Sequence, residues 1–288
     1  MTVADNMRKT AADLLASGKV ALVIGFEGDT KTRPVFIRKA EDVSRLVWNE
    51  RCPASLARYL LRVGLDRGET PLPQKQKTAI VAKGCDVRAI AGLIREGQIK
   101  RENVVIIGMD CAFQTDGGSK LPQCLVCDCH RPELYDLLIE DAAAPAAAAP
   151  DDFSDVARIE KLSPEERRRY WLGLMERCVR CYACRQACPL CYCEECAAEI
   201  ALPKWLPRSP DAASNLFFHA MRAHHLAGRC VDCGECERAC PVNIPLRTLM
   251  RKMIKDVKEL YGWKAGADPE AKPPLATFSP DDPGESFK

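Results

Sequence analysis

Two stretches of this chain read almost as copies of each other, and any fold it adopts must satisfy both. The first is Cys178-Val-Arg-Cys181-Tyr-Ala-Cys184-Arg-Gln-Ala-Cys188-Pro, and the second is Cys230-Val-Asp-Cys233-Gly-Glu-Cys236-Glu-Arg-Ala-Cys240-Pro. Each is a C-x-x-C-x-x-C-x-x-x-C-P run, the bacterial spacing for cubane iron–sulfur clusters. In such runs three close thiolates wrap one cluster and the fourth Cys reaches the other. That rule assigns Cys178, Cys181, Cys184 and Cys240 to one [4Fe-4S] cluster, and Cys230, Cys233, Cys236 and Cys188 to a second. Tetrahedral zinc is the competing reading. Zinc sites more often use two separated C-x-x-C pairs than three thiols packed so closely.

The cysteine count bears on where such a chain works. Seventeen cysteines are many, and an odd number. In a secreted protein they would suggest a disulfide scaffold. No basic segment followed by an apolar core and a cleavage site opens the sequence, so no signal peptide is expected. Reduced, metal-binding thiols and a cytoplasmic location follow as expectations. A net charge of +2 gives no electrostatic ground for a nucleic-acid or membrane-surface partner. No apolar run is long enough for membrane insertion.

The first half reads as α/β. Residues 5–17 form an amphipathic pattern with Met7, Ala11, Leu14 and Leu15 on one face, closed by Gly18. Strands are expected over Val20 to Phe26 and Pro34 to Arg38, with short helices near Glu41 to Trp48 and Pro53 to Val63. The clearest signal is a strand from Lys77 to Ala82, a helix from Val87 to Glu96 and a strand from Val104 to Ile107. A strand–helix–strand unit of this length should be parallel and right-handed. Cys85 and Cys111 then follow the two strands at one carboxyl edge, where open α/β sheets bind ligands. Cys124-Leu-Val-Cys127-Asp-Cys129 comes shortly after. Cys85, Cys111, Cys124 and Cys127 are therefore candidate ligands of a third cluster, with Cys129 or Cys52 as substitutes for one of them. A zinc site, or thiols that simply pack, are the alternatives.

The expected domains are residues 1–140, an Ala/Pro linker at 141–153, a dicluster domain at 154–262 and an extended tail at 263–288. The linker is low in complexity and broken by prolines. Ser163, Pro164 and Glu166 mark a capped helix start after it. A further helix is expected from Asp211 to Ala227. Leu246, Leu249, Met250, Met253, Ile254, Val257 and Leu260 recur at helical spacing up to Gly262, either packing on their own domain or meeting a partner.

Other constellations carry less. Cys184-x-x-x-Cys188-x-x-Cys191 matches a radical-SAM spacing, but its first two cysteines are already required by the duplicated run. Cys191, Cys193 and Cys196 are either spare thiols in a tight turn or ligands of another metal. His130, His219, His224 and His225 read as solvated or core residues, and Arg167, Arg168 and Arg169 as a solvated helix face. No dinucleotide, P-loop or nucleophile-elbow motif is present, and no catalytic residue is expected.

Lys83-Gly-Cys85-Asp-Val-Arg, Gly108-Met-Asp-Cys111 and Cys124-Leu-Val-Cys127, in this order, resemble the beta subunit of deazaflavin-coenzyme-reducing hydrogenases and dehydrogenases. The resemblance covers roughly residues 10–140. It implies a cluster on these four cysteines beside a flavin, although that family's glycine-rich flavin segment is not evident here. The Cys178–Cys240 region is similar to dicluster ferredoxin domains. Fused chains of this kind resemble electron-transfer subunits of heterodisulfide-reductase-like, hydrogenase or formate dehydrogenase complexes. The fold class expected is thus an α/β domain with a small parallel sheet, followed by a mainly helical two-[4Fe-4S] ferredoxin domain. The expected role is an electron relay with flavoprotein, hydrogenase-like or heterodisulfide-reductase-like partner subunits. Its rivals are a flavin-dependent reductase of a nicotinamide or deazaflavin coenzyme, and a metal-stabilised scaffold.

Overall fold

The computed structural model of the protein describes residues 2–61, 77–145, 151–207 and 209–274. Helix α1 (Val3–Ala16) begins in a capping box: the Thr2 hydroxyl accepts from the Asp5 amide, and the Asp5 carboxylate accepts from the Thr2 amide. Its buried residues are Met7, Ala11 and Leu14, one face at helical spacing, with Leu15 only partly covered. Strands β1 (Val20–Glu27) and β2 (Arg33–Ile37) pair antiparallel. A 3-10 turn over Ala40–Arg45 and helix α2 (Ala57–Leu60) follow. The helix expected over Pro53 to Val63 is thus shorter in its described part, and its last residues lie outside the described ones.

Strand β3 (Lys77–Ala82), helix α3 (Gly84–Arg95) and strand β4 (Val104–Met109) form the expected parallel unit, with Ala79 opposite Val105 and Val81 opposite Ile107. The ribbon of β5 (Thr115–Asp116) and β6 (Ser119–Lys120), helix α4 (Pro122–Leu125) and strand β7 (Leu137–Ile139) complete this half. The sheet order is β2-β1-β3-β4-β7, parallel except for β2. The expected parallel sheet therefore carries an antiparallel edge, because the short β1–β2 connection permits only a hairpin. Strand β3 lies centrally, and Ala79, Ile80, Val81 and Ala82 are fully buried, as an unbroken apolar run should be in a parallel sheet.

The described second half is built from helices. Helix α5 (Ser154–Glu160) leads to α6 (Pro164–Glu176), whose start shows the Ser163–Glu166 capping box with Pro164 in its first turn. Helices α7 (Ala183–Ala187), α8 (Ala212–His225, capped by Asp211), α9 (Glu235–Arg238) and α10 (Leu246–Tyr261) follow. The apolar stripe of α10 turns inward at Leu246, Met250 and Val257, while Leu260 is 73% exposed. That stripe is chiefly a packing surface, and only its last turn faces outward.

The two halves pack directly on each other. Leu93 of α3 belongs to the core of the helical half. Glu96, just beyond α3, receives Arg229 at 2.6 and 2.8 Å and the Tyr192 hydroxyl at 2.7 Å. Arg58 of α2 donates to the carbonyls of Cys188 and Cys191. Residues 146–150 of the expected linker lie outside the described residues. Beyond them Asp151 and Asp155 hold Arg251 of α10. The segment expected to open an extended tail is packed at its start: Trp263 donates to the Gly228 carbonyl, and Ala265 is buried. Residues 275–288 lie outside the described ones. No helix among the described residues is long and apolar enough to cross a membrane.

Candidate metal centres

The two cysteine runs fold alike. In each, the residue before the second Cys and the residue after it have positive φ: Arg180 (48°) and Tyr182 (59°) in one, Asp232 (55°) and Gly234 (73°) in the other. Non-glycine residues pay for that conformation, and it persists only where the surroundings over-determine it. The turn coils three thiols toward one side. A short helix, α7 or α9, then carries the chain to the fourth Cys.

The fourth thiols cross over. A small cleft is lined by Cys178, Cys181, Cys184 and Cys240, so the last Cys of the second run closes the ring of the first. Reciprocally, Cys188 lies within electrostatic range of Cys230, Cys233 and Cys236. Each set thus brings together the four thiols that the spacing rule groups. Cys181 is exposed and Cys236 buried, so the first set lies nearer the surface. Among the described residues no three His, Cys, Asp or Glu side chains converge as the ligands of one metal ion do. The donor chemistry fits a group of several irons, each taking one thiolate.

Burial dominates the electrostatics of these sets. It pushes the Cys184 thiol up to about 12 and the Cys236 thiol up to about 11. Binding irons as thiolates would release those protons and relieve the desolvation of the charged form. One buried cation serves both sets. Burial opposes the charge of Arg222, but the neighbouring thiols of Cys188, Cys236, Cys184 and Cys191 hold its pKa above the ordinary value. Its Nη2 donates to the Cys184 carbonyl at 3.1 Å. His219 is also buried, with Nε2 3.5 Å from Cys178 Sγ, and burial, followed by Arg222, pushes its pKa down to about 4. It reads in the sequence as an ordinary core histidine, and no spacing marks it or Arg222 as neighbours of the thiols.

At the sheet edge, Cys85 enters the first turn of α3 after β3, Cys111 follows β4, and Cys124 lies on α4. These three line a cavity of about 420 Å³ together with Cys127 and Cys129. Gln114 donates through its backbone amide to Cys124 Sγ at 3.3 Å and through its side chain to Cys111 Sγ at 3.4 Å. Lys83 is buried against Asp86 at 2.8 Å, beside Cys85 and Cys111. The Cys230–Cys233 loop lines the same cavity. Phe153, Lys258 and Trp263 also line it.

Cys52 is not among these thiols. It is fully buried in the α/β core, its Sγ 3.9 Å from the Val47 carbonyl, because the turn before α2 points it inward. Of the two expected substitutes, only Cys129 reaches the site. Cys191 lies near Cys188 and Cys196, while Cys193 is exposed and its carbonyl accepts from Arg185. His130 is held to the site, its Nδ1 2.8 Å from the Cys111 carbonyl. His224 and His225 are exposed, as expected.

Comparison with known proteins agrees with this chemistry. Residues 225–245, which take in Cys230, Cys233, Cys236 and Cys240, match the 4Fe-4S binding domain family. The chain is 37% identical over 116 residues to the F420-dependent formate dehydrogenase subunit beta of Methanocaldococcus jannaschii, covering 39% of this chain and 28% of that one. It is 22% identical to the F420-dependent formate dehydrogenase 1 subunit beta of Methanococcus maripaludis in an alignment covering 86% of each. The closer of these two likenesses thus spans under a third of its relative's length. The chain is similar to these beta subunits and carries a 4Fe-4S binding domain, the equipment of an iron–sulfur electron-transfer protein.

Proposed function

We propose that this chain is the electron-relay subunit of a multi-subunit oxidoreductase, carrying three [4Fe-4S] clusters. Cys178, Cys181, Cys184 and Cys240 would hold the first, Cys230, Cys233, Cys236 and Cys188 the second, and the sheet-edge thiols the third. Bound there, such clusters accept and pass single electrons, at potentials tuned by hydrogen bonds, burial and charge. The chain's own residues supply that tuning: Arg222 and Gln114 place donors and positive charge beside the thiols, and the helical core buries Cys184 and Cys236.

One observation carries the reading: the sheet-edge thiols and Cys230 and Cys233 of the second run line the same cavity. A scaffold metal would need no such juxtaposition; a relay does. The likeness to formate dehydrogenase beta subunits points to a dehydrogenase or hydrogenase-like partner that supplies or takes the electrons. Protein prepared without oxygen should contain about twelve irons and as many sulfides, four per cluster. About eight would remove the sheet-edge cluster, and zinc without sulfide would end the relay reading.

A second reading rests on the same cavity. Its volume of about 420 Å³, with Phe153 and Trp263 in its lining, is within the range of pockets that bind planar coenzymes such as a flavin. Flavin released by denaturing the purified chain, together with reduction of a nicotinamide or deazaflavin coenzyme, would make the chain a reductase in its own right.

A further inference from the structure

Besides Cys230 and Cys233 of the second run, five thiols from the α/β half line the sheet-edge cavity, whereas a cubane cluster takes four. The surplus is concentrated at one point. Cys127 Sγ and Cys129 Sγ are 3.8 Å apart, a contact distance for two sulfur atoms. The corners of a cube diverge, and each iron takes one external thiolate. Two sulfurs in contact are therefore placed to serve one corner, not two.

The second thiol is held there by its backbone. A Cβ on Gly84 would lie 1.8 Å from the Cys129 carbonyl oxygen, so this residue packs against the start of α3, beside Cys85. On its other side, the Cys111 amide donates to the His130 carbonyl at 2.8 Å, and His130 Nδ1 meets the Cys111 carbonyl at the same distance. Between the two cysteines, Asp128 pairs with Arg88 at 2.6 Å and also with Lys264. The turn is thus clamped to both strand ends that carry the other ligands. Cys129 is only 8% exposed and lines the cavity.

We propose that Cys127 and Cys129 are alternative ligands of a single iron in the sheet-edge cluster, while Cys85, Cys111 and Cys124 each hold an iron alone. The inference rests on that site binding a cluster. Exchange between the two is balanced: one Fe–S bond forms as the other breaks, and the incoming thiol's proton passes to the outgoing thiolate. No electron is gained or lost. One corner can then change ligand without losing its iron.

The test compares iron, sulfide and the paramagnetic resonance spectrum of the reduced full chain in C127A, C129A, the double variant and C124A. Each single variant at the shared corner should keep about twelve irons, four per cluster, with different sheet-edge signals for C127A and C129A. The double variant and C124A should each fall by a third, to about eight, and the irons retained in the other two sets report an intact fold. About eight irons in C127A alone, or about twelve in the double variant, would overturn the shared corner. About eight in the unaltered chain would instead remove the cluster itself, a different failure.

Discussion

The side-chain amide of Gln123 donates to the carbonyl of Cys233 at 3.2 Å, tying the neighbour of Cys124 to a thiol-bearing loop in the other half of the protein. Gly234 makes the approach possible: it has φ +73°, and a Cβ there would lie 2.8 Å from the Gln123 amide. Gly234→Ala should therefore cost about 1–3 kcal/mol of stability through backbone strain and displaced packing. It should keep its iron while weakening the magnetic interaction between the reduced sheet-edge and second centres. Gln123→Ala should keep the spectrum closer to that of the unaltered chain and cost about 1 kcal/mol, the usual worth of one hydrogen bond.

Glu96 joins the halves through Arg229 and Tyr192, and its side chain is only 16% exposed. Glu96→Ala leaves Arg229 without its carboxylate. The expected loss is about 2 kcal/mol, below the figure for a fully buried pair because Arg229 keeps some solvent. It should appear as a lower thermal midpoint with the iron content unchanged.

Arg251 gathers Asp151, Asp155 and Asp232, with its side chain 3% exposed. Arg251→Ala leaves Asp151 and Asp155 without their guanidinium, while Asp232 keeps Arg247; because these carboxylates keep some solvent, the expected loss is about 2 kcal/mol. Because Asp232 lies within the second cysteine run, the signal of the centre held by Cys230, Cys233 and Cys236 should broaden first. Denaturation curves and resonance spectra of the same preparation check both outcomes.

Cys188→Ser should perturb the centre of Cys230, Cys233 and Cys236 and spare that of Cys178, Cys181 and Cys184. The reason is the crossover that brings Cys188 to the second set. Resonance spectra that resolve the clusters decide it, and a loss confined to the first set would contradict the assignment. Cys52→Ala should leave every iron in place, since that thiol packs among apolar side chains.

Partner binding can be separated from cavity integrity by two truncations. Deleting residues 263–288 removes Trp263, Lys264 and Ala265 from the cavity wall, so iron at the sheet edge should fall along with retention of a partner oxidoreductase subunit. Deleting only 275–288 should leave the iron count unchanged. Co-purification and metal analysis of the two forms provide the readout.

Much of this was legible in the sequence because the relevant interactions are local. Ser163, Pro164 and Glu166 cap α6 within one turn, and the duplicated run sets three thiols on one coil by spacing alone. The apolar Lys77–Ala82 and Val104–Met109 segments required a buried parallel pair, which put Cys85 and Cys111 at one edge. Other features depend on residues that meet only when the halves pack. Arg222 among four thiols, Gln123 against Cys233, and the inward turn of Cys52 leave no periodicity to read. The same holds for Trp263, which composition placed in an extended tail. Local spacing determined which cysteines could share a cluster. Only the tertiary structure decided how the thiol sets are placed relative to one another, because buried charge and close backbone approach are settled by partners distant in sequence, 38 residues for Arg222 and Cys184 and 110 for Gln123 and Cys233.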